Sequence, residues 1–147
     1  MAVVQAVCNQ FKAQLLKGYH EFDSSGDTFK IALYSSGTYG ATTPDYSATG
    51  ETSGTGYVAG GVALTGQSVT GSTSTTTSYV DWANAEWTSA SFSALGAIIY
   101  NTTTNGGSST TDAVCILAFG GTFTATAGTF TVQFPAPGTS TAILRLA

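Results

Sequence analysis

Charged side chains are scarce in this chain. Only 12 of its 147 residues are charged, whereas about one quarter of an average soluble domain is charged. Two long stretches carry no charge, the 29 residues between Glu51 and Asp81 and the 32 residues between Asp112 and Arg145. Threonine, serine and glycine together supply 60 residues. Because enzymes hold several ionisable groups close together, this composition favours a structural protein with a surface of hydroxyls and backbone.

Basic residues and long apolar runs are also lacking. Four basic residues leave a net charge of −4, which disfavours nucleic acid as a partner because phosphate backbones reward clustered lysine and arginine. No segment approaches the ~20 apolar residues that a membrane-spanning helix needs, and residues 1–5 do not resemble a secretory signal. Cys8 and Cys115 lie in apolar settings, so we expect buried free thiols, although the spacing alone does not exclude a disulfide.

The chain does contain enough apolar material for a folded core. Its apolar fraction is 42%, and it has eight phenylalanines, seven tyrosines and two tryptophans. A chain of this length corresponds to one domain of ordinary size. We therefore expect a single domain over residues 1–147, with an N-terminal helix within residues 1–18 and a β-sandwich over residues 28–147.

The first seventeen residues carry the only helical pattern. Apolar side chains recur there at spacings of three and four, which predicts a helix from Val3 to Lys17 that ends at Gly18. A helix of about four turns is marginal alone, so its apolar face packs on its own sandwich or docks on a partner. The second alternative makes three residues candidates for partner binding: Val4, Phe11 and Leu15.

Short strands separated by turn residues fill the remainder of the chain. Phe29, Ile31 and Leu33 alternate with other residues, which predicts a half-buried strand. About eight or nine such segments indicate an antiparallel β-sandwich or jelly roll. The tract 65–78 fits either a hairpin or an exposed excursion. The further strands are predicted at 57–64 (with a bend at its two glycines), 78–83, 87–93, 95–100, 113–119, around 123, 130–134 and 141–146.

No motif in the sequence predicts catalysis or metal binding. His20 is the only histidine, and no serine lies in a Gly-x-Ser-x-Gly elbow. Asp23 and Asp27 are spaced as in a calcium loop, but Tyr34 occupies the position where such a loop needs a bidentate acid. We therefore predict no catalytic residue, no cofactor and no metal, and interpret residues 23–27 as a turn.

Two tryptophans next to acidic residues offer one hypothesis of ligand binding. Trp82 follows Asp81, and Trp87 follows Glu86. Aromatic side chains beside carboxylates can bind sugars, which makes Trp82 and Trp87 a candidate sugar platform. The alternative is that both rings belong to the core, because large aromatic side chains are readily buried.

Three regions, taken in order, carry a resemblance to a known family. They are Phe29–Ser36, Gly54–Gly61, and Ala85–Phe92 running on to Gly96–Asn101. Together they resemble a family of small virion proteins of tailed bacteriophages. The resemblance covers about residues 11–100, with weaker similarity over residues 130–146. At Leu95 the chain departs from the family, which carries a basic residue before the Gly-Ala-Ile-Ile-Tyr run, so Leu95 is a fourth candidate partner-binding residue.

The resemblance implies a non-enzymatic structural protein of the virion, assembled in the host cytoplasm. A capsid decoration (cement) protein, which binds the major capsid protein and stabilises the assembled shell, is the first expectation. The alternatives are a head–tail connector or tail component, and a carbohydrate- or receptor-binding β-sandwich module. Uncharged, threonine-rich strands lack the lysines and prolines that usually protect sheet edges. We therefore expect protein partners, with self-association into a homo-oligomer, and neither nucleic acid nor a membrane as a partner.

Overall fold

The computed structural model describes residues 2–71, 73, 76–105 and 108–147. Within these residues the chain forms eight strands and one short helix, and the strands make two antiparallel sheets. The predicted mainly β, sandwich-like architecture is confirmed. In chain order the elements are β1 (Ala6–Val7), α1 (Asn9–Leu16), β2 (Phe29–Tyr34), β3 (Val62–Ala63), β4 (Ser68–Thr70), β5 (Ser78–Asp81), β6 (Ala85–Asn101), β7 (Ala113–Val132) and β8 (Leu144–Leu146).

The larger sheet has the strand order β1-β7-β6-β2-β3, and the smaller sheet has the order β4-β5-β8. In the larger sheet, Ile99 of β6 lies between Ile31 of β2 and Cys115 of β7. Five of the six residues of β2 are buried, so the predicted half-buried alternation of this strand is wrong. Both faces of the sheet are covered here, and such strands read as nearly continuous apolar runs.

Strands β6 and β7 are much longer than the sequence predicts. The separate strands expected at 87–93 and 95–100 form one strand of 17 residues, and those expected at 113–119 and around 123 and 130 form one strand of 20. The glycines at 120–121 do not end β7. Instead residues 119–122 bulge out opposite the single residue Leu95, between the pairs Ala94–Phe123 and Gly96–Ala118. The two glycines therefore form a bulge and not a turn, and the pairing of β6 with β7 continues on both sides of it.

The N-terminal helix is shorter than the predicted Val3–Lys17. Residues Ala6–Val7 instead pair with β7, opposite Ile116 and Cys115. The Val4 amide donates to the carbonyl of Tyr39 at 2.9 Å, and the Cys8 amide donates to the carbonyl of Val114 at 3.0 Å. Because these backbone groups are satisfied by Tyr39 in the loop after β2 and by strand β7, tertiary pairing overrides the helical spacing of the side chains, and helix α1 begins only at Asn9.

Helix α1 packs on its own domain through an aromatic cluster. The ring of Phe11 lies 4.9 Å from that of His20 and 5.9 Å from that of Phe22. Phe22 in turn stacks on Phe29 of β2 at 4.7 Å, and Trp82 meets Phe29 at 5.6 Å. This cluster joins the helix, the following loop and both sheets. Of the two alternatives for the helix, Phe11 therefore follows the first, because it packs on its own domain and not on a partner.

Three further predictions about strands are resolved by the structure. The tract 65–78 contributes to a hairpin, since Ser68–Thr70 pairs with Tyr79–Asp81. The strand predicted over 57–64 is reduced to Val62–Ala63, because the Gly61 amide closes a turn by donating to the carbonyl of Val58 at 3.0 Å. The last strand is Leu144–Leu146 rather than 141–146.

Gly61→Ala should destabilise the protein far more than Gly120→Ala. Both glycines have a positive φ, 74° and 79°, which strains alanine by about 1 kcal/mol at either position. A Cβ at position 61 would also overlap the carbonyl oxygen of Ile31, whereas one at position 120 meets nothing within 4 Å. We expect urea denaturation to show a loss of at least ~3 kcal/mol for Gly61→Ala and about 1 kcal/mol for Gly120→Ala. Equal losses would contradict the tight approach of Gly61 to β2.

Candidate interaction surface

The four candidate partner-binding residues do not form one surface. Phe11 is buried in the aromatic cluster, and Leu15 and Leu95 are partly buried. Val4 is exposed, but it lies in the extended segment before α1 and not on the helix. The apolar stripe predicted from a continuous helix is therefore divided, and among the helical candidates only Leu15 remains available to a partner.

The tryptophan platform is not present in the fold. Trp82 and Trp87 are each only 2% exposed. The Trp82 indole N–H donates to Oε1 of Gln67 at 2.9 Å. Trp87 packs edge-on against Phe92 and Phe130, and its indole N–H has no acceptor among the described residues. Neither ring can offer an open face to a sugar, so the core alternative is correct for both.

Two polar clusters lie beneath the surface, the first around the single histidine. His20 Nε2 lies 3.0 Å from Oε1 of Gln14, and Gln14 Nε2 donates to Oδ1 of Asp112 at 2.7 Å. On the other side of the ring, Asn101 Nδ2 lies 3.0 Å from His20 Nδ1 and donates to Oδ2 of Asp27 at 2.7 Å. All five side chains are buried, so the chain of bonds ties α1 and the following loop to β6 and the start of β7.

These partners fix the protonation state of His20. Asn101 can only donate to Nδ1, and the carbonyl oxygen of Gln14 can only accept from Nε2, so the ring is neutral with its proton on Nε2. Burial lowers the pKa of His20 below its ordinary value of 6.5, and the Asp112 and Asp27 carboxylates oppose that shift only partly. The folded protein therefore disfavours a charged His20.

Acidification from pH 7.5 to pH 5 should lower the free energy of unfolding. His20 has a lower pKa in the folded than in the unfolded chain, so between the two values the unfolded chain binds more protons. Its contribution is present above pH 6.5 and is lost as the pH falls towards the folded pKa. Urea denaturation across this range should show a decline in wild type and a much flatter profile in His20→Gln. Because the chain has one histidine, parallel profiles would refute this assignment.

The second polar cluster centres on Glu51. Its Oε1 accepts hydrogen bonds from the Tyr57 hydroxyl at 2.6 Å and the Gly60 amide at 2.7 Å, and its Oε2 accepts one from the Tyr46 hydroxyl at 2.6 Å. The Tyr100 hydroxyl donates to the carbonyl of Gly60 at 2.7 Å. Burial, with the Glu51 hydrogen bonds, raises the pKa of Tyr46 and Tyr57, and burial raises the pKa of Tyr100 to about 12. Glu51 therefore closes the long loop between β2 and β3 over the sheet.

Glu51→Ala should cost about 2 to 3 kcal/mol of unfolding free energy, because it leaves two hydroxyls and one amide without their acceptor. Glu51→Gln retains one acceptor oxygen and should cost about 1 kcal/mol. Urea denaturation of both variants at pH 7.5 measures the difference. If the two substitutions cost the same, the hydrogen bonds to the carboxylate are not what holds the loop.

The cysteines are free and buried, as predicted. Burial raises the pKa of the Cys8 thiol to about 11, despite the nearby Lys12, and raises that of Cys115 as well. Both sulfurs are therefore protonated at neutral pH and are poor nucleophiles. Among the residues that the structure describes, no group of three or more His, Cys, Asp or Glu side chains is placed to hold a metal ion. The described part of the chain also contains no helix with the length and apolarity needed to cross a membrane.

A large apolar groove lies along the second half of β7. We call it the β7 groove; its volume is about 560 Å³. Phe123 projects at its rim and is 55% exposed, whereas Phe130 is buried at its base. None of the described residues that line the groove is charged. The larger apolar side chains of its lining include Leu117, Phe119, Phe123, Phe130, Val132, Phe134 and Ile143.

The groove lies beside a strand edge that has no pairing partner among the described residues. In the larger sheet β1 pairs with β7 only at Cys115 and Ile116, so among the described residues the segment 118–132 has β6 on one side and no strand on the other. This segment, the β7 edge, contains neither a charged residue nor a proline. Of the usual means by which sheet edges avoid pairing with other chains, it therefore has only its bulges, at residues 119–122 and 126–127.

A second, smaller groove lies between α1 and the smaller sheet. We call it the helix–sheet groove; its volume is about 200 Å³. Val69 of β4 and Leu146 of β8 line it and are 52% and 59% exposed, and the candidate residue Leu15 lies beside them. Among the described residues that line it, Arg145 is the only charged one. Apolar side chains are thus exposed together at two separate places on an almost uncharged surface.

Neither groove is predicted from the sequence, although a signal for one of them is present. Thr122, Thr124, Thr129 and Thr131 flank Phe123 and Phe130, a pattern consistent with one apolar and one hydroxylated strand face. The free edge arises because β1 pairs with only two residues of β7. Tertiary structure sets the length of this pairing, and local sequence patterns do not predict it.

Comparisons with protein-family models, with curated proteins and with solved structures found no match to this chain. The function is therefore inferred from the residues and from the geometry of the two grooves and the β7 edge.

Proposed function

We propose that this protein is a structural component of a tailed-phage virion, a capsid decoration protein that binds the major capsid protein and stabilises the assembled shell. The observation that carries the proposal is the exposure of large apolar side chains on a surface with very few charges. A shell-binding protein buries such a surface against neighbouring subunits at little cost in charge desolvation. The resemblance of three regions to small virion proteins supports the same role.

The helix–sheet groove is the surface that we assign to the shell. Val69 and Leu146 are each more than half exposed, and Leu15 of α1 lines the same groove. Apolar side chains at the centre of an interface, with polar residues around them, are typical of protein–protein contacts. Ser68 and Thr70 flank Val69 in β4, and Ser78, Tyr79 and Arg145 are the polar residues of the described lining. The groove therefore combines apolar side chains with a few polar ones, as interfaces do.

A non-enzymatic role is part of the proposal, and the use of the carboxylates supports it. Asp27 and Asp112 are buried and accept hydrogen bonds from Asn101 and Gln14. Glu51 accepts hydrogen bonds from two tyrosines and a backbone amide. These carboxylates hold the fold together, and a role in general acid–base catalysis would need them to face a substrate.

The alternative within the same class is a head–tail connector or tail component, which would use the same exposed apolar residues on a different partner. A carbohydrate-binding module would need the rings of Trp82 and Trp87 on the surface. Both are buried, so no observation favours this alternative.

Cosedimentation with expanded capsids tests the proposal. Wild-type protein mixed with capsids that lack their decoration protein should sediment with them at a saturating, regular stoichiometry. Val69→Glu with Leu146→Glu should lower the affinity at least ~100-fold, because two carboxylates would have to be buried in the interface. Val58→Glu is the matched control, since Val58 is also exposed but lies in the loop before β3, and it should bind as wild type does.

Two results would overturn the assignment. Wild-type protein that does not sediment with capsids, but binds isolated connectors or tails, would transfer the role to the alternative. Equal loss of binding in the double variant and in Val58→Glu would show that the helix–sheet groove is not the contact.

A further inference from the structure

We propose that two copies of this chain pair through the β7 edge, with residues 122–131 running antiparallel to the same residues of the second copy. The inference begins with the sequence of that segment. Residues 122–124 read Thr-Phe-Thr, and residues 129–131 read Thr-Phe-Thr again. A strand that reads nearly the same in both directions is self-complementary about a twofold axis, which is the symmetry of the commonest protein dimers.

The register follows from this symmetry. With the axis between Thr126 and Ala127, Phe123 of one copy lies opposite Phe130 of the other, and Thr124 lies opposite Thr129. Directly opposed residues of antiparallel strands place their side chains on the same face. Both phenylalanines line the β7 groove of a single copy, so the pairing keeps them together on the apolar face.

The groove gives the second copy a place to bind. Phe123 is 55% exposed and stands at the rim of a groove of about 560 Å³, which is ample for an aromatic side chain. In the twofold arrangement each copy offers its Phe123 to the groove of the other, beside Phe119 and Phe130. In the dimer each Phe123 side chain is therefore removed from water and occupies the apolar groove of the other copy. This contact occurs twice, once for each copy.

Backbone and charge also favour a second copy. The outer side of the β7 edge has no strand partner among the described residues, so its unpaired amides and carbonyls can continue the sheet. The positive φ of Ala127 and the register shift between Ala125 and Gly128 place a bulge at the axis, so the residues on either side of it are the ones that pair. Each copy carries a net charge of −4, yet none of that charge lies within the paired segment itself; the nearest charge on the neighbouring strand is Glu86, which lies opposite Thr131 at one end of the segment.

This dimer does not depend on the proposed function, because it uses the β7 edge and leaves the helix–sheet groove free. Sedimentation velocity of the purified full chain in the absence of capsids provides the test. Wild type should sediment as a dimer of about twice 14.9 kDa. A monomer or a trimer at concentrations of about 100 μM would overturn the proposal, since a micromolar dimer is complete at that concentration.

A charge exchange tests the register. Thr124 and Thr129 are both exposed and face each other in the dimer. Thr124→Lys with Thr129→Lys places like charges opposite each other twice and should weaken the dimer at least ~100-fold. Thr124→Lys with Thr129→Glu places opposite charges there and should restore dimerisation to within about tenfold of wild type.

The two double variants control for each other, because they alter the same exposed positions. Circular dichroism and the fluorescence of the two buried tryptophans should be the same in both. If both variants dimerise equally, or neither does while remaining folded, the proposed register is wrong. If a folded monomeric variant still binds capsids, the dimer and the capsid contact use different surfaces, because only the dimer has been lost.

Discussion

From Ala85 to Asn101, β6 runs against β7, and the other parts of the larger sheet attach to this ladder. β2 pairs with the apolar end of β6 through Ile31 and Ile99, and β1 pairs with the same end of β7. Asn101 and Asp112, which stand on either side of the connection between the two strands, hold the hydrogen bonds that reach His20, Gln14 and thus α1. The long hairpin therefore positions the core and the buried polar cluster at one end, and leaves the β7 edge uncovered at the other.

The few charges of the chain are distributed to match this division. Asp27 and Asp112 are buried around His20, and Glu51 closes the loop between β2 and β3. In each case a carboxylate accepts several hydrogen bonds, which offsets the cost of removing it from water. The distal half of β7 carries no charge at all. These three carboxylates thus hold the closed end of the fold, whereas the surfaces that we assign to partners are mainly hydroxylated and apolar, with Arg145 the one charged residue among the described lining of the helix–sheet groove.

Much of the fold could be predicted from local patterns, and the limits are physical. The alternation of Phe29, Ile31 and Leu33 located β2, and the density of short apolar segments predicted the antiparallel sandwich. The helix predicted over residues 3–7 is wrong because helical spacing describes only the side chains, whereas the backbone groups of this segment form tertiary hydrogen bonds. Trp82 and Trp87 became core residues through contacts with Phe29 and Phe130 that are distant in sequence. The β7 groove and its free edge depend on how little of β7 is covered by β1, and that is a property of tertiary structure alone.

The uncharged character of the β7 edge also determines how contacts made there respond to the medium. Ionic strength acts on exposed charges over a Debye length of about 10 Å at 0.1 M salt, and this segment offers none. Salting-out anions such as sulfate strengthen the burial of apolar surface, so contacts along the edge tighten where ion-paired interfaces loosen.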